Sequence, residues 1–328
     1  MVPQKREFVD ALRYKRNFAS YTLETWWHTL KLLITGASGL YGSKLAKLAL
    51  AKGFEVYSTD IQSQLVFGKF IKLDITDKLR VDKVFTEVKP DVVVHAASLT
   101  DVDKCELNKD LAWKINVDGT KNIVTSTENT KSFLIYISTD YVFSGKKGNY
   151  LESDKPDPIN YYGQTKLQAE TVVQSIKKSN SLIARPSVIY GSTPAAGKVN
   201  FALWLIQKLK QGEHIKIVTD QWNTPTLNTN LAEMTLEAVE RHITGIFHLS
   251  GSTRVNRYEF AVQIAETFGL NKDLINKTES SIFNWSALRP SDSSLNTSAA
   301  QLKFKNKPLP LAKALEKLKK ELSLNETQ

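Results

Sequence analysis

The stretch Lys31-Leu-Leu-Ile-Thr-Gly36-Ala-Ser-Gly39-Leu-Tyr-Gly42 decides the fold. Leu32, Leu33 and Ile34 read as a short buried strand, the glycines as a tight turn, and Ser43 to Lys52, with apolar Leu45, Leu48 and Ala49, as a helix. Strand, glycine turn and helix in that order are the setting a dinucleotide fingerprint requires. Gly36 permits the turn, Gly39 lets backbone N–H groups approach a pyrophosphate, and Gly42 lets helix and strand pack closely. The helix N-terminus adds partial positive charge, so Ser38, Gly39, Leu40, Tyr41 and Gly42 form the expected phosphate cradle. A second strand, Glu55 to Thr59, ends at Asp60, roughly 20 residues past the glycines, where a carboxylate hydrogen-bonds the ribose hydroxyls of the adenosine half. No Lys or Arg stands at positions 61 to 63 to neutralise a 2′-phosphate, which predicts NAD as the cofactor, with NADP as the alternative.

Working outward, strand-like runs recur at Phe70 to Leu73, Asp91 to His95, Phe133 to Ser138 and Ser181 to Ala184, with helical patterns over 77–88, 103–128 and 161–179 between them. This alternation predicts an α/β fold, a Rossmann-type doubly wound parallel sheet spanning residues 31–186. After Arg185-Pro186 the rhythm changes. Phe201 to Gln211, Asn230 to Arg241, Arg257 to Phe268 and Pro310 to Leu322 read as helices and Gly245 to Leu249 as a strand, which predicts a smaller α/β substrate-binding lobe over 187–328, with the chain free to cross back between lobes. Residues 1–30 precede the first strand and carry Phe8, Val9, Leu12, Phe18, Tyr21, Leu23, Trp26 and Trp27, too many large apolar groups for a free tail. One or two short helices docked on the body or on another subunit are expected; Glu7, Asp10 and Glu24 weaken the rival reading, a transit peptide.

Composition excludes several classes. At 328 residues, 41% hydrophobic and 24% charged, the chain is an ordinary globular protein able to bury a full core. The net charge of +10 is spread among alternating acids and bases, as in Lys313 to Lys320 beside Glu316 and Glu321, which argues against nucleic acid and suits an anionic substrate. The single cysteine, Cys105, excludes a disulfide framework and points to the cytoplasm. The five histidines lack ligand spacing, so no metal is expected, and no apolar run reaches the ~18 to 20 residues of a membrane span.

The chemistry falls at the carboxyl ends of the strands, where such sheets bind ligands. Strand 133–138 runs into Ser138-Thr139-Asp140-Tyr141, and Tyr162 and Lys166 share one face of the next helix. Hydride transfer to a carbonyl builds negative charge on oxygen and needs a proton donor and a second hydrogen-bond donor. Tyr162 is the expected proton donor, Lys166 the group that tunes it and holds the nicotinamide ribose, and Thr139 the group that steadies the carbonyl, with Ser138 as its fallback.

With these residues in place, residues 31–325 resemble the extended short-chain dehydrogenase/reductases, and among them the dTDP-4-dehydrorhamnose reductase-like family. The resemblance is carried by the glycine turn, the Tyr-Lys pair, Leu73 to Asp77, His95 to Thr100 with Val102-Asp103-Lys104 and Glu106, Ile115 to Val117, Ser138 to Phe143, Asn160 to Lys166, Asp220-Gln221 with Pro225-Thr226, and Arg289-Pro290. It implies an NAD(P)H-dependent oxidoreductase of a nucleotide-linked 4-keto-6-deoxysugar, of the kind used in dTDP-rhamnose biosynthesis. It also implies adenine contacts from Asp74 and Ile75, contacts to the cofactor's central portion from Ala96, Ala97, Ser98 and Asn116, and a sugar-nucleotide border at Thr100, Asn200 and the 220–226 loop. A homo-oligomer, a dimer, is expected. Among cations of the second lobe, Arg185, Lys198, Arg254, Arg257 and Arg289 are candidates for a diphosphate, and Arg289, with its rigid fork, is the choice. The related 4,6-dehydratases carry Asp-Glu after the Thr as acid and base; here Asp140 is followed by Tyr141. Two further resemblances stay open: a sugar-nucleotide 4-epimerase, and a non-catalytic NAD(P)-binding regulator like the β subunit of methionine adenosyltransferase.

Overall fold

The continuous apolar run of Lys31–Thr35 (β1) is covered on both faces, the signature of a central strand in a parallel sheet. The computed structural model describes residues 29–63, 66–176, 180–193 and 199–326. The first body runs β1, α1 (Leu40–Ala51), β2 (Glu55–Asp60), β3 (Lys69–Lys72), α2 (Lys78–Val88), β4 (Val92–His95), α3 (Val102–Leu107), α4 (Lys109–Trp113), α5 (Gly119–Thr130), β5 (Phe133–Ile137), α6 (Tyr161–Gln174) and β6 (Ser181–Ala184). A second body follows with β7 (Ser187–Tyr190), α7 (Phe201–Lys210), β8 (Ile215–Val218), β9 (Trp222–Asn223) and β10 (Pro225–Leu227). The chain then forms α8 (Asn228–Arg241), β11 (Gly245–Phe247), β12 (Val255–Asn256), α9 (Arg257–Phe268), β13 (Ile275–Thr278), α10 (Ser298–Lys303) and α11 (Leu311–Glu326).

The main sheet has seven parallel strands in the order β11-β6-β5-β4-β1-β2-β3, the doubly wound arrangement expected, with one strand more. On one face Leu45 and Ala49 of α1 meet Leu231 and Met234 of α8; on the other, Val81 and Phe85 of α2 meet Ile123 of α5 and Val173 of α6. A separate core in the second body gathers Leu205, Phe260, Ile264, Leu315 and Leu318.

After 187 the chain crosses back once to the first body. Residues 228–247 return to the first body: α8 packs along α1, where the Tyr41 phenol donates to the Thr235 hydroxyl at 2.8 Å, and β11 adds the seventh strand beside β6. Leu231, Met234 and Val239 are buried there, and the apolar cover of α1 requires them. The single helix expected over 103–128 is also broken. Asn108 leaves helical geometry (φ −129°, ψ 68°), and a π turn at Lys114–Asp118 bulges Asn116 inward. The helices expected within 1–28 lie outside the described residues. Among the described residues no helix is long and apolar enough to cross a membrane.

One buried ion pair fixes the strand ends against α6. Glu170 accepts from Arg185 Nε at 2.8 Å and Nη2 at 2.6 Å, and from the Ser138 hydroxyl at 2.5 Å, with both charged side chains essentially inaccessible. Removing one partner strands the other charge in the interior. Glu170→Ala is therefore expected to lower the unfolding free energy by about 3–5 kcal/mol, while Glu170→Leu combined with Arg185→Met costs far less. Urea unfolding of both variants checks this, and equal losses would show that the pair's charge is not what matters.

Candidate active site

The cofactor side is built from backbone. Gly36 holds φ +71°, and a Cβ there would meet the Ala97 nitrogen at 2.7 Å; a Cβ on Gly42 would meet the Gly36 carbonyl at 2.2 Å. The turn therefore packs directly on the 96–97 backbone, and side chains at these two positions would fill it. Asp77, Asn160, Asn200 and Asn256 cap α2, α6, α7 and α9, whereas α1 begins at Gly39 with no side-chain cap, leaving its first N–H groups available to an anion. Asp60 is pinned beside this turn, accepting from the Ser38 amide at 3.0 Å and the Gln62 amide at 3.2 Å. The Thr35 hydroxyl accepts from Ala96 and Ala97 N–H, each at 3.2 Å, and so holds the β4 exit against the turn. These residues fit a dinucleotide.

Other expected contacts are redistributed. The Tyr41 side chain is buried against α8, so only its backbone faces the turn. Asn116 is saturated: Oδ1 accepts from the Ser98 hydroxyl and the Leu99 amide, both at 2.8 Å, and Nδ2 donates to Leu99 O at 3.1 Å and Thr165 Oγ1 at 3.0 Å. It fastens the loop after β4 to α6 rather than reaching toward a ligand, and Ser98 is spent with it. Asp74 closes its own turn on Thr76 at the surface, and Ile75 is buried against Gly119.

Thr139 and Tyr162, the candidates for the chemistry, lie side by side. Thr139 ends the β5 segment and accepts the Tyr141 amide at 3.2 Å as cap of a short 3-10 turn, Asp140–Val142. Tyr162 enters the first turn of α6, which Asn160 caps by accepting from the Gly163 amide at 2.8 Å. The two hydroxyls are neighbours, and the Tyr141 ring meets Tyr162 edge-on at 6.0 Å. Ser138 is removed from contention because its hydroxyl points the other way, to Glu170.

Electrostatics depart from expectation in one way. Burial holds the Tyr162 phenol well above the ordinary tyrosine range in the free chain, with the neighbouring Thr139 hydroxyl acting against it. Lys166 does not touch the phenol; its Nζ donates to Ile137 O at 2.7 Å and lies 4.3 Å from the centre of the Tyr136 ring. Burial pulls Lys166 down to about 7, so its charge is adjustable near neutral pH.

The substrate side corrects the choice of Arg289. Its guanidinium is already held by Asp103, Nη1 to Oδ1 at 2.8 Å and Nη2 to Oδ2 at 2.6 Å, and stacks on Trp285. This pair ties the 285–289 loop of the second body to α3 of the first. Asn200 is likewise committed, capping α7 through Leu203 and donating to Gly191 O at 3.0 Å, while Thr100 is exposed at the rim. Arg185 is buried on Glu170 and Arg254 pairs with Asp292; Lys198 lies outside the described residues. Arg257 alone of these candidates has no carboxylate within ion-pair distance among the described residues, and its charge lies near the Tyr141 phenol. Sequence reasoning missed the Glu170–Arg185 pair, although Glu170 lies one helical turn past Lys166, and it missed the tie between Asp103 and Arg289, which no local spacing announces.

The sequence pattern of the RmlD substrate binding domain family matches residues 30–324. A dTDP-4-dehydrorhamnose reductase of Aggregatibacter actinomycetemcomitans is 31% identical over 88% of this chain and 98% of its own length. The β subunit of methionine adenosyltransferase 2 from Bos taurus is 30% identical over 73% of this chain and 72% of its own. The crystal structure of dTDP-4-dehydrorhamnose reductase from Bacillus anthracis in complex with NADP superposes with a TM-score of 0.81 at 29% identity, covering 90% of this chain and all of that one.

The position of Asp60 generates a test of cofactor choice. NADH is expected to bind about tenfold more tightly than NADPH, and Asp60→Ala to narrow that gap by losing charge-assisted bonds to the ribose and the repulsion of a 2′-phosphate. Titration calorimetry with both nucleotides reads it; tighter NADPH binding by the unsubstituted protein would overturn the assignment.

Proposed function

The chain belongs to the family of the RmlD substrate binding domain, and from that footing we propose that it is an NAD(P)H-dependent reductase of a nucleotide-linked 4-keto-6-deoxysugar resembling dTDP-4-dehydrorhamnose. The observation that carries the reading is the convergence of Thr139, Tyr162 and Lys166 beside an uncapped glycine turn with Asp60 at its edge. NAD(P)H held along that turn supplies the hydride. Tyr162, kept protonated by burial, gives its proton to the ketone oxygen as charge builds there. Lys166, braced by the Ile137 carbonyl and the Tyr136 ring, places an adjustable positive charge behind the phenol. The water-eliminating chemistry of the dehydratases is disfavoured by Asp140, which is buried under three hydroxyls.

The likeness to the methionine adenosyltransferase β subunit gives a second reading, a regulator that binds the cofactor without turnover. The Tyr162–Lys166 pair and its spacing from Thr139 suit both readings, so turnover decides between them. Tyr162→Phe is expected to cut turnover of a dTDP-4-keto-6-deoxysugar roughly 100- to 10,000-fold while leaving NADH affinity nearly unchanged, because it removes the proton donor and keeps the ring. Near-parent activity in that variant would sink the assignment. Catalysis with no net NADH oxidation, by protein purified with NAD bound, identifies an epimerase instead; NADH binding without turnover across a panel of 4-keto sugar nucleotides identifies the regulator.

A further inference from the structure

Asp140 is 2% exposed, yet each of its bonds is accounted for. Oδ1 accepts from the Thr139 hydroxyl at 3.0 Å; Oδ2 accepts from the Ser187 hydroxyl at 2.8 Å and the Ser293 hydroxyl at 2.5 Å. Burial pushes the Asp140 carboxyl up while the three hydroxyls and Arg257 favour its ionised form, and in that form it has no proton to give and accepts all three bonds. A hydroxyl has one proton and two lone pairs. The Thr139 proton is therefore spent on Asp140, one lone pair takes the Tyr141 N–H, and the other is left for the site.

We propose that Asp140 is a positioning residue that takes the Thr139 hydroxyl proton, so that Thr139 faces the site as an acceptor and Tyr162 is the group that donates to the substrate carbonyl. The inference rests on the reductase reading and changes the role expected of Thr139. A ketone oxygen only accepts, so Thr139 offers it nothing, and the Tyr162 proton is the one left for the ketone. Reduction forms the C4–H bond from the hydride and its electron pair and the O4–H bond from the Tyr162 proton. The new alcohol can then donate to Thr139, which thereby distinguishes product from ketone. Asp140 also keeps a negative charge near Tyr162, favouring the proton-bearing phenol that reduction consumes. The ionisable groups facing that phenol are Lys166 on its own helix, Cys105 on α3, Tyr136 on β5, and Asp140 and Tyr141 on the 3-10 turn; Arg257 faces Asp140 from α9.

Asp140→Asn tests it with NADH and a dTDP-4-keto-6-deoxysugar. Turnover is expected to fall about tenfold with KM within about twofold, and the alkaline limb of the kcat profile to move about one unit to lower pH. The sign follows because reduction needs the protonated phenol and loss of a nearby negative charge lowers the pH at which the phenol ionises. An unmoved alkaline limb, or a KM rising as far as kcat falls, overturns the proposal. If Asp140→Asn does not fold, Ser293→Ala removes one donor from the carboxylate and is expected to raise the pH of the acid limb; an unchanged acid limb then overturns it. Should the unsubstituted protein reduce no such sugar, the reductase reading fails separately, and the tyrosinate absorbance attributable to Tyr162, by difference from Tyr162→Phe, still shows whether Asp140→Asn moves the phenol. No movement there overturns the proposal as well.

Discussion

The Glu170–Arg185 pair is the constraint on which the rest of the site depends. Glu170 lies one turn past Lys166 on α6, Arg185 follows the end of β6, and Ser138 follows the end of β5, so a single buried carboxylate fixes the helix against two adjacent strand ends. Binding Ser138 on one side of the chain turns Thr139 to the other, toward Tyr162. The placement of Thr139 beside Tyr162 is thus set by charges buried away from that pair. Such an arrangement is costly to build, since both ions leave water and Arg185 Nη1 is buried without a hydrogen-bond partner among the described residues.

A second set of polar ties sets the relation of the two bodies. Asp140 binds Ser187 and Ser293, Asp103 grips Arg289, and Glu321 of α11 accepts from Lys44 of α1 at 2.8 Å, Ser192 at 2.7 Å and Thr229 at 2.6 Å. The lysine beside Glu321 and its hydrogen bonds hold that carboxyl below its usual range, against the cost of burial. These contacts are directional rather than apolar, so they specify the cleft's geometry more than they add adhesion. Val188, a β-branched residue at φ +41°, lies in β7 where the chain enters the second body. That backbone is strained, and its neighbours Ser187 and Ile189 are held by pairing with β10.

Much of this was legible in the sequence because it is local. The glycine turn, Asp60 at the end of the next strand, the alternation of apolar runs, and Tyr162 and Lys166 on one helix face are all periodicities of a few residues. What escaped was set by contacts across long stretches of chain. Asn116 looked like a ligand residue until the π turn buried it against Leu99 and Thr165. Arg289 looked free because Asp103, its partner, lies in the other body. A crossing back was open to the chain, but that α8 and β11 make it was hidden because α8 reads as an ordinary amphipathic helix; which partner its apolar face chooses is a tertiary matter.

That return has a bearing on how the protein is made. The strand β11 completes the first sheet only after β7, α7 and β8 to β10 have left the ribosome, and α8 supplies the apolar cover that α1 lacks until then. The nucleotide-binding half therefore cannot finish ahead of the other, as a self-contained N-terminal domain would during synthesis. Sequence-distant pairing of this kind slows folding, and Leu45 and Ala49 stay open to water, and to other nascent chains, for as long as the delay lasts.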